Sequence, residues 1–207
     1  MKPCVVVSRE MGSEGDAVAL EASERTGYRL IYTHTIGKLA RRHGLQGGEW
    51  RWMDQDWYRL FAQLEDRSHV HLADLRPALL DAATDRRGAL FVGRGIEELL
   101  RGHVPLLSVH VVAPFETRVE RIMRQVNIMR SRAEERVRRS DEENAWFYHY
   151  FFHVHWADPD RYDLIFDTSI LTPHECAQQL AKTMAQWSGP DDLTPRGSMG
   201  NAGRYDL

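Results

Sequence analysis

Five short apolar runs that alternate with helical segments constrain the fold of this 207-residue chain more than any other feature. Such runs are typical of strands buried on both faces, and their alternation with helices is typical of a parallel sheet. The predicted strands cover residues 4–8, 28–32, 89–93, 106–113 and 163–168. The predicted helices run from Asp16 to Arg25, from about Thr35 to His43, from Asp54 to Leu64, from about Leu72 to Asp85, from Phe115 to about Gln125 and from Pro173 to Trp187. The sequence therefore predicts an α/β fold with a five-stranded parallel sheet and helices on both faces.

Two segments interrupt this alternation. Residues 44–70 contain Trp50, Trp52 and Trp57, and residues 126–161 are rich first in arginine and then in aromatic residues. In α/β nucleotide enzymes such excursions usually form lids over the carboxyl edge of the sheet. The tryptophan group could stack on a base, form a homodimer contact or build a small core beneath the excursion.

Composition limits the possible functions. The formal net charge of −3 argues against a nucleic-acid binder that depends on a general basic field, so any anion site has to be local. Only three of the 27 basic residues are lysines, which favours a phosphate site built from arginine. No apolar run approaches the roughly 20 residues of a membrane span. We therefore expect one cytoplasmic domain over residues 1–187 without membrane or nucleic-acid partners, and a disordered polar tail over 188–207.

The stretch VVVSREMGSEGDAVAL, residues 5–20, is typical of a buried strand, a glycine loop and a helix. Glycines in this setting let backbone N–H groups turn toward an anion, and the helix N-terminus adds partial positive charge. The usual phosphate loop has a lysine and a hydroxyl residue where this chain has Asp16 and Ala17, and a glycine where it has Glu10. Two interpretations remain open: a structural turn in which Asp16 caps its helix, or a phosphate-binding loop. The candidate binding residues of the second are Arg9, Gly12, Ser13, Glu14, Gly15 and Asp16.

Four stretches, taken together, indicate a known family. They are SREMGSEGDAVA from residue 8, LFVGRGIEELL from residue 90, VHVVAPFETRVERIM from residue 109 and SDEENAWFYHYFFHVHWADPDRYDLIFDTSIL from residue 140. In this order and spacing the chain resembles the cytidylate kinase-like family, which is similar to bacterial cytidylate kinases, over nearly its whole length to about Trp187. The resemblance implies a three-layer P-loop kinase fold with a helical lid. It also implies transfer of the γ-phosphoryl group of ATP, aided by Mg²⁺, to a nucleoside monophosphate such as CMP or dCMP.

The resemblance assigns roles to several residues. Gly12, Ser13 and Gly15 match the family's loop and would supply backbone donors. Arg94, in the sequence VGRG, matches an arginine that holds the monophosphate ligand in cytidylate kinases. No side chain is predicted to bind a metal.

The lid segment departs from the family pattern. The family has an aspartate, then basic residues and an arginine three positions on, whereas Asp141 is followed here by Glu142, Glu143 and Asn144. The basic residues that are missing after Asp141 could be replaced in function by arginines just upstream, which we predict to share one helix. The candidate catalytic residues of this segment are Arg132, Arg136, Arg139 and Asp141. The alternative is a solvated helix face on which the arginines pair with neighbouring glutamates.

Further departures leave the function open. This chain has Asp16 where the family commonly has arginine, and Gly95 where cytidylate kinases have aspartate. After the second strand the family has an acidic residue, whereas this chain has Tyr32. One function is an active nucleoside monophosphate kinase with an altered loop. The other is an inactive relative that binds a nucleotide or a protein partner, and a different acceptor is a third possibility.

Overall fold

The computed structural model describes residues 2–32, 35 and 75–187. The strands in these ranges are β1 (Cys4–Arg9), β2 (Arg29–Tyr32), β3 (Ala89–Val92), β4 (Leu106–Val112) and β5 (Leu164–Asp167). They form one sheet in the order β2-β3-β1-β4-β5, and every neighbouring pair is parallel. The predicted five-stranded parallel sheet is confirmed, and each strand ends within one residue of its predicted bounds.

Six α-helices lie in the same ranges. They are α1 (Gly15–Thr26), α2 (Arg76–Ala83), α3 (Ile96–Leu100), α4 (Phe115–Val126), α5 (Arg130–Phe152) and α6 (Pro173–Gln186). The helices α1, α4 and α6 confirm their predictions to within one residue, α2 ends two residues before its predicted end, and α3 was not predicted. None of these helices has the length and apolar character needed to cross a membrane.

Several predictions fall on residues that the structure does not describe. They are the helix over 35–43 apart from its first residue, the helix over 54–64, the excursion over 44–70 with Trp50, Trp52 and Trp57, and the tail over 188–207. They therefore remain predictions.

The central strand β1 explains how the two faces of the sheet are covered. Cys4 and Val6 pack in a core cluster with α2, α3 and the second half of α5, whereas Val5 and Val7 pack with α1 and α6. Because successive side chains of a strand point to opposite faces, a strand covered on both faces needs an apolar residue at every position. The run CVVV meets this need and places the end of β1, at Arg9, in the middle of the sheet's carboxyl edge.

The helix α5 forms most of the arginine-rich and aromatic segment. In its first half, Ala133 and Val137 pack against Val119 and Ile122 of α4. In its second half, Phe147 and the neighbouring tyrosine are buried in the core on one face of the sheet. The prediction that the arginines between residues 130 and 139 share one helix is confirmed.

Gly95 connects β3 to α3 and has no room for a side chain. Its φ is 73°, and a β-carbon placed there would lie 2.7 Å from Cε1 of Phe147 and 2.9 Å from Cε2 of Phe152. An aspartate, as in cytidylate kinases, would overlap with these rings. Glycine at this position therefore follows from the aromatic packing of α5.

We predict that Gly95→Ala destabilises the protein more than Gly27→Ala does. Gly27 has a φ of 71° and open space around it, so its alanine variant carries only the left-handed backbone penalty of roughly 1–2 kcal/mol. Gly95→Ala adds an overpacking penalty of about 1–3 kcal/mol. Urea denaturation of both variants measures the difference, and equal losses would contradict the packing at Gly95.

Candidate functional site

The loop between β1 and α1 requires glycine at two positions. Gly12 has a φ of 83°, and a β-carbon on it would lie 2.8 Å from the backbone oxygen of Arg118. A β-carbon on Gly15 would lie 2.5 Å from Cβ of Arg9. At these two positions the backbone therefore lies so close to α4 and to β1 that only glycine, which has no β-carbon, fits.

Most backbone N–H groups of this loop have no acceptor in the part of the chain that the structure describes. The N–H of Ser13 donates to the carbonyl of Glu10 at 3.2 Å. Those of four other residues make no hydrogen bond within the described residues: Gly12, Glu14, Gly15 and Asp16. They lie at or just before the N-terminus of α1, where the helix dipole favours negative charge. Backbone donors arranged in this way favour an anion, and the arrangement is independent of the missing lysine.

The carbonyl groups of the loop, in contrast, are held by other elements. The Thr168 hydroxyl, just after β5, donates to the carbonyl of Ser13 at 2.8 Å. Arg121 of α4 donates to the carbonyl of Gly12 at 3.2 Å and to the hydroxyl and carbonyl of Thr168 at 2.7 and 2.8 Å. These contacts fix the loop from outside and leave its N–H groups available to a ligand.

Arg118 joins the start of the loop to α5. Its guanidinium is buried and donates two hydrogen bonds of 2.9 Å to the carboxylate of Asp141 and one of 2.9 Å to the carbonyl of Ala113. Glu10 lies 3.2 Å from the same guanidinium and accepts a hydrogen bond of 2.9 Å from the N–H of Ala113. Burial raises the pKa of Glu10 to about 7, although Arg118 opposes the shift. Glu10 therefore anchors the loop where a phosphate loop usually has its first glycine.

The two acidic residues that the sequence places at the phosphate position each have an arginine partner. Asp16 lies 3.1 Å from Nε of Arg9, and Glu14 lies 3.3 Å from Nη2 of Arg121. These pairs reduce the repulsion that the two carboxylates would exert on a phosphate. They also engage two of the arginines that a phosphate would otherwise bind.

A cavity of about 750 Å³ lies over the loop. Arg94 lines it from the end of β3, and α4 and α5 close it with side chains that include Arg121, Arg124, Ser140 and Asn144. This volume lies within the usual range for small-molecule sites. The cavity therefore brings together backbone donors and arginines from three parts of the chain.

The structure brings some of the predicted site residues together and separates others. Arg9, Gly12, Glu14, Gly15, Asp16 and Arg94 line the cavity. Ser13 is fully buried beside it, and its hydroxyl donates to the carbonyl of Glu10 at 2.8 Å.

The predicted lid residues are not among those that line the cavity. Arg132 lies 3.0 Å from Glu135, Arg139 lies 2.9 Å from Glu143, and Arg136 is exposed. Asp141 binds Arg118, as described above. The pairing of Arg132 and Arg139 matches the solvated-face alternative, and a catalytic role for this group stays a prediction.

Arg94 is half-buried, and its environment is partly apolar. Its guanidinium carbon lies 5.9 Å from the centroid of the Phe147 ring. Burial, and to a smaller extent the charge of Arg9, lowers the pKa of Arg94 to about 10. The side chain is therefore still charged at neutral pH, and a bound anion would offset its desolvation.

Behind the Arg94 turn lies a buried polar cluster around the hydroxyl of Tyr148. This hydroxyl accepts the N–H of Gly95 at 2.9 Å, lies 3.4 Å from the hydroxyl of Ser8 and donates to the carboxylate of Glu97. The second carboxylate oxygen of Glu97 has no hydrogen-bond partner among the described residues. Burial raises the pKa of Glu97 to about 7. A neutral carboxyl is therefore accessible to this group near physiological pH.

Sequence reasoning missed the contribution of α4. Arg118, Arg121 and Arg124 recur at every third position, which is the spacing of side chains on neighbouring turns of one helix face. This regular spacing directly after a predicted strand was the available signal. The structure shows that Arg118 and Arg121 support the loop and that Arg121 and Arg124 line the cavity.

The residues present fit the phosphates of ATP but offer little to Mg²⁺. Phosphates would find the unpaired N–H groups at the start of α1. For the metal, Ala17 stands at the usual hydroxyl position and the Ser13 hydroxyl is already engaged. No group of three or more histidine, cysteine, aspartate or glutamate residues in the described part of the chain could hold a metal ion.

The family model described as the cytidylate kinase-like family matches residues 4–170. The chain belongs to the cytidylate kinase-like family. The match extends from β1 beyond β5 and includes the glycine loop, the Arg94 turn and both helices that close the cavity. No curated protein matches the sequence.

Solved structures share the fold at low sequence identity. An uncharacterized protein from Eubacterium ventriosum is 16% identical with a TM-score of 0.68, over 89% of this chain and 99% of that one. The protein TT1252 from Thermus thermophilus is 18% identical with a TM-score of 0.52, over 91% and 100%. The shikimate kinase from Acinetobacter baumannii, solved with shikimate, is 14% identical with a TM-score of 0.51, over 93% and 96%. The predicted P-loop kinase fold is thereby confirmed.

We predict that Arg118→Ala lowers the free energy of unfolding by about 3–5 kcal/mol, because it leaves Asp141 and Glu10 without their buried cation. Arg124→Ala is the matched control on the same helix, since Arg124 is exposed and pairs with Glu120. Its effect should stay within about 0.5 kcal/mol. Similar losses for both variants in urea denaturation would show that the Arg118 contacts contribute little.

We also predict that Glu97→Gln weakens the pH dependence of stability. Because the pKa of Glu97 is raised in the folded state from 4.5 to about 7, its stabilising contribution is present below pH 4.5 and is lost as the pH rises through 7. From pH 5 to pH 8 the wild type should lose on the order of 1–3 kcal/mol more unfolding free energy than the variant. Glu10 is present in both proteins, so its own shift cancels in this comparison. Identical pH profiles would mean that Glu97 ionises at its ordinary pKa.

Proposed function

We propose that this protein transfers the γ-phosphoryl group of ATP to a nucleoside monophosphate of the CMP or dCMP type. One observation carries the proposal: the loop residues whose N–H groups make no hydrogen bond within the described part of the chain line the same cavity as Arg94. The strands that lead to them are neighbours, since Val7 of β1 pairs with Val92 of β3. Arg9 and Arg94 each follow this pair by two residues, so the loop and the Arg94 turn begin side by side at the same edge of the sheet.

In this proposal the loop binds the donor phosphates through its N–H groups, and Arg94 binds the acceptor phosphate. Holding the two substrates on adjacent strand ends supplies the positioning on which phosphoryl transfer mainly depends. Arg121 and Arg124 line the cavity and join Arg132, Arg136 and Arg139 as candidates for contacts with the transferring group. Mg²⁺ would enter with the phosphates of ATP, and the reaction would take place in the cytoplasm.

A second candidate function is a nucleotide-binding regulator without transfer activity. It is favoured by Asp16 and Ala17 in place of the lysine and the hydroxyl residue, and by the pairing of Arg9 and Arg121 with acidic residues. Transfer requires cations that stabilise charge on the moving phosphoryl group, whereas binding requires only the N–H groups.

Calorimetric titration with ATP and Mg²⁺, followed by CMP, distinguishes these functions when ADP release is measured on the same sample. Binding of both ligands with ADP release that depends on CMP supports the kinase. Binding of ATP without release supports the regulator, and the absence of ATP binding would overturn both.

We predict that Arg94→Ala raises the Kd for CMP roughly tenfold to a hundredfold, because a charge-assisted hydrogen bond contributes about 1.5–3 kcal/mol. The melting temperature should change little, since the variant also removes a desolvated charge. Arg29→Ala is the matched control on the adjacent strand β2, and it should leave the affinity for CMP unchanged. An unaltered Kd in Arg94→Ala would exclude Arg94 from acceptor binding.

A further inference from the structure

The turn that carries Arg94 is held at both of its neighbouring glycines. The N–H of Gly93 donates to the carbonyl of Val7 in β1 at 3.3 Å, and the N–H of Gly95 donates to the hydroxyl of Tyr148 in α5 at 2.9 Å. Arg94 therefore lies between one anchor on the sheet and one anchor on a helix. The second anchor is a side chain, so a single substitution can remove it.

The hydroxyl of Tyr148 has its hydrogen-bonding capacity fully assigned. A phenol offers one donor, which goes to Glu97, and its lone pairs face the N–H of Gly95 and the hydroxyl of Ser8. Because the proton is directed to Glu97, the lone pairs remain directed toward the turn. The ring is 1% exposed, so water does not compete for these contacts.

Tyr148 also shares a helix face with residues of the cavity. Ser140, Asn144 and Tyr148 recur at every fourth position of α5 and therefore form one stripe. The first two line the cavity, and the third holds the Arg94 turn. The position of α5 consequently determines where both the cavity wall and Arg94 lie.

We propose that Tyr148 is a positioning residue for Arg94, acting through its hydroxyl on the backbone of the turn. The inference rests on the proposed role of Arg94 in binding the acceptor phosphate. Tyr148 itself does not line the cavity. Its effect on acceptor binding is transmitted through the Gly95 peptide.

Tyr148→Phe tests the proposal because it removes the hydroxyl and keeps the ring. Loss of one neutral hydrogen bond should raise the Kd for CMP roughly threefold to tenfold and leave the Kd for ATP within about twofold. The Gly95 amide should exchange its hydrogen about tenfold faster in NMR measurements, because its acceptor is gone. Tyr150→Phe is the matched control: Tyr150 lies two positions along the same helix and is 59% exposed.

The outcomes separate this proposal from the proposed function. Faster exchange at Gly95 with an unchanged Kd for CMP would overturn the positioning role and leave a structural one. If the wild type itself does not bind CMP, the proposed function fails. Unchanged hydrogen exchange of the Gly95 amide in Tyr148→Phe would then overturn the positioning role as well. Should Tyr148→Phe not fold, Glu97→Met removes the acceptor that directs the hydroxyl. It should weaken CMP binding in the same direction without affecting ATP.

Discussion

The buried guanidinium of Arg118 is the interaction on which the site depends. It binds Asp141 of α5, the carbonyl of Ala113 after β4 and the carboxylate of Glu10. Gly12 packs against the backbone of Arg118. Three separate elements therefore meet at one side chain, and the loop takes its shape from them. A buried cation of this kind requires all of its partners, which explains why an acidic residue, Glu10, stands at the start of the loop.

Backbone and side chains make opposite contributions to anion binding here. The unpaired N–H groups and the dipole of α1 attract an anion whatever the side chains are. The carboxylates of Glu14 and Asp16 oppose it, at about 1–4 kcal/mol per close charge pair at effective dielectric constants between 80 and 20. Since each carboxylate already has an arginine partner, the opposing effect lies at the lower end. Binding of phosphate is thus compatible with the altered loop, whereas transfer depends on additional cations.

Much of the fold was predictable because strands buried on both faces appear in the sequence as continuous apolar runs. The five residues of α3 were missed because a helix of this length shows no periodicity. Within the site, the glycine loop and Arg94 were predictable from local sequence and from the family pattern. The anchoring role of Glu10 was not, because its partner Arg118 lies 108 positions away and depends on the tertiary fold. The same long-range contact explains why Asp141, which local sequence assigns to a lid, binds Arg118.

The pair formed by Arg9 and Asp16 gives the site an internal competitor. A phosphate that reaches Arg9 has to replace a carboxylate of the protein itself, which lies 3.1 Å away. One ion pair of Arg9 is lost and another is formed in this exchange. The net gain in binding free energy therefore comes only from the charge that the ligand carries beyond that of the carboxylate. Anions with a single charge gain little from such an exchange, whereas polyphosphates with several charges gain more. In the proposed function, Asp16 would therefore favour ligands that carry several negative charges over ligands that carry one.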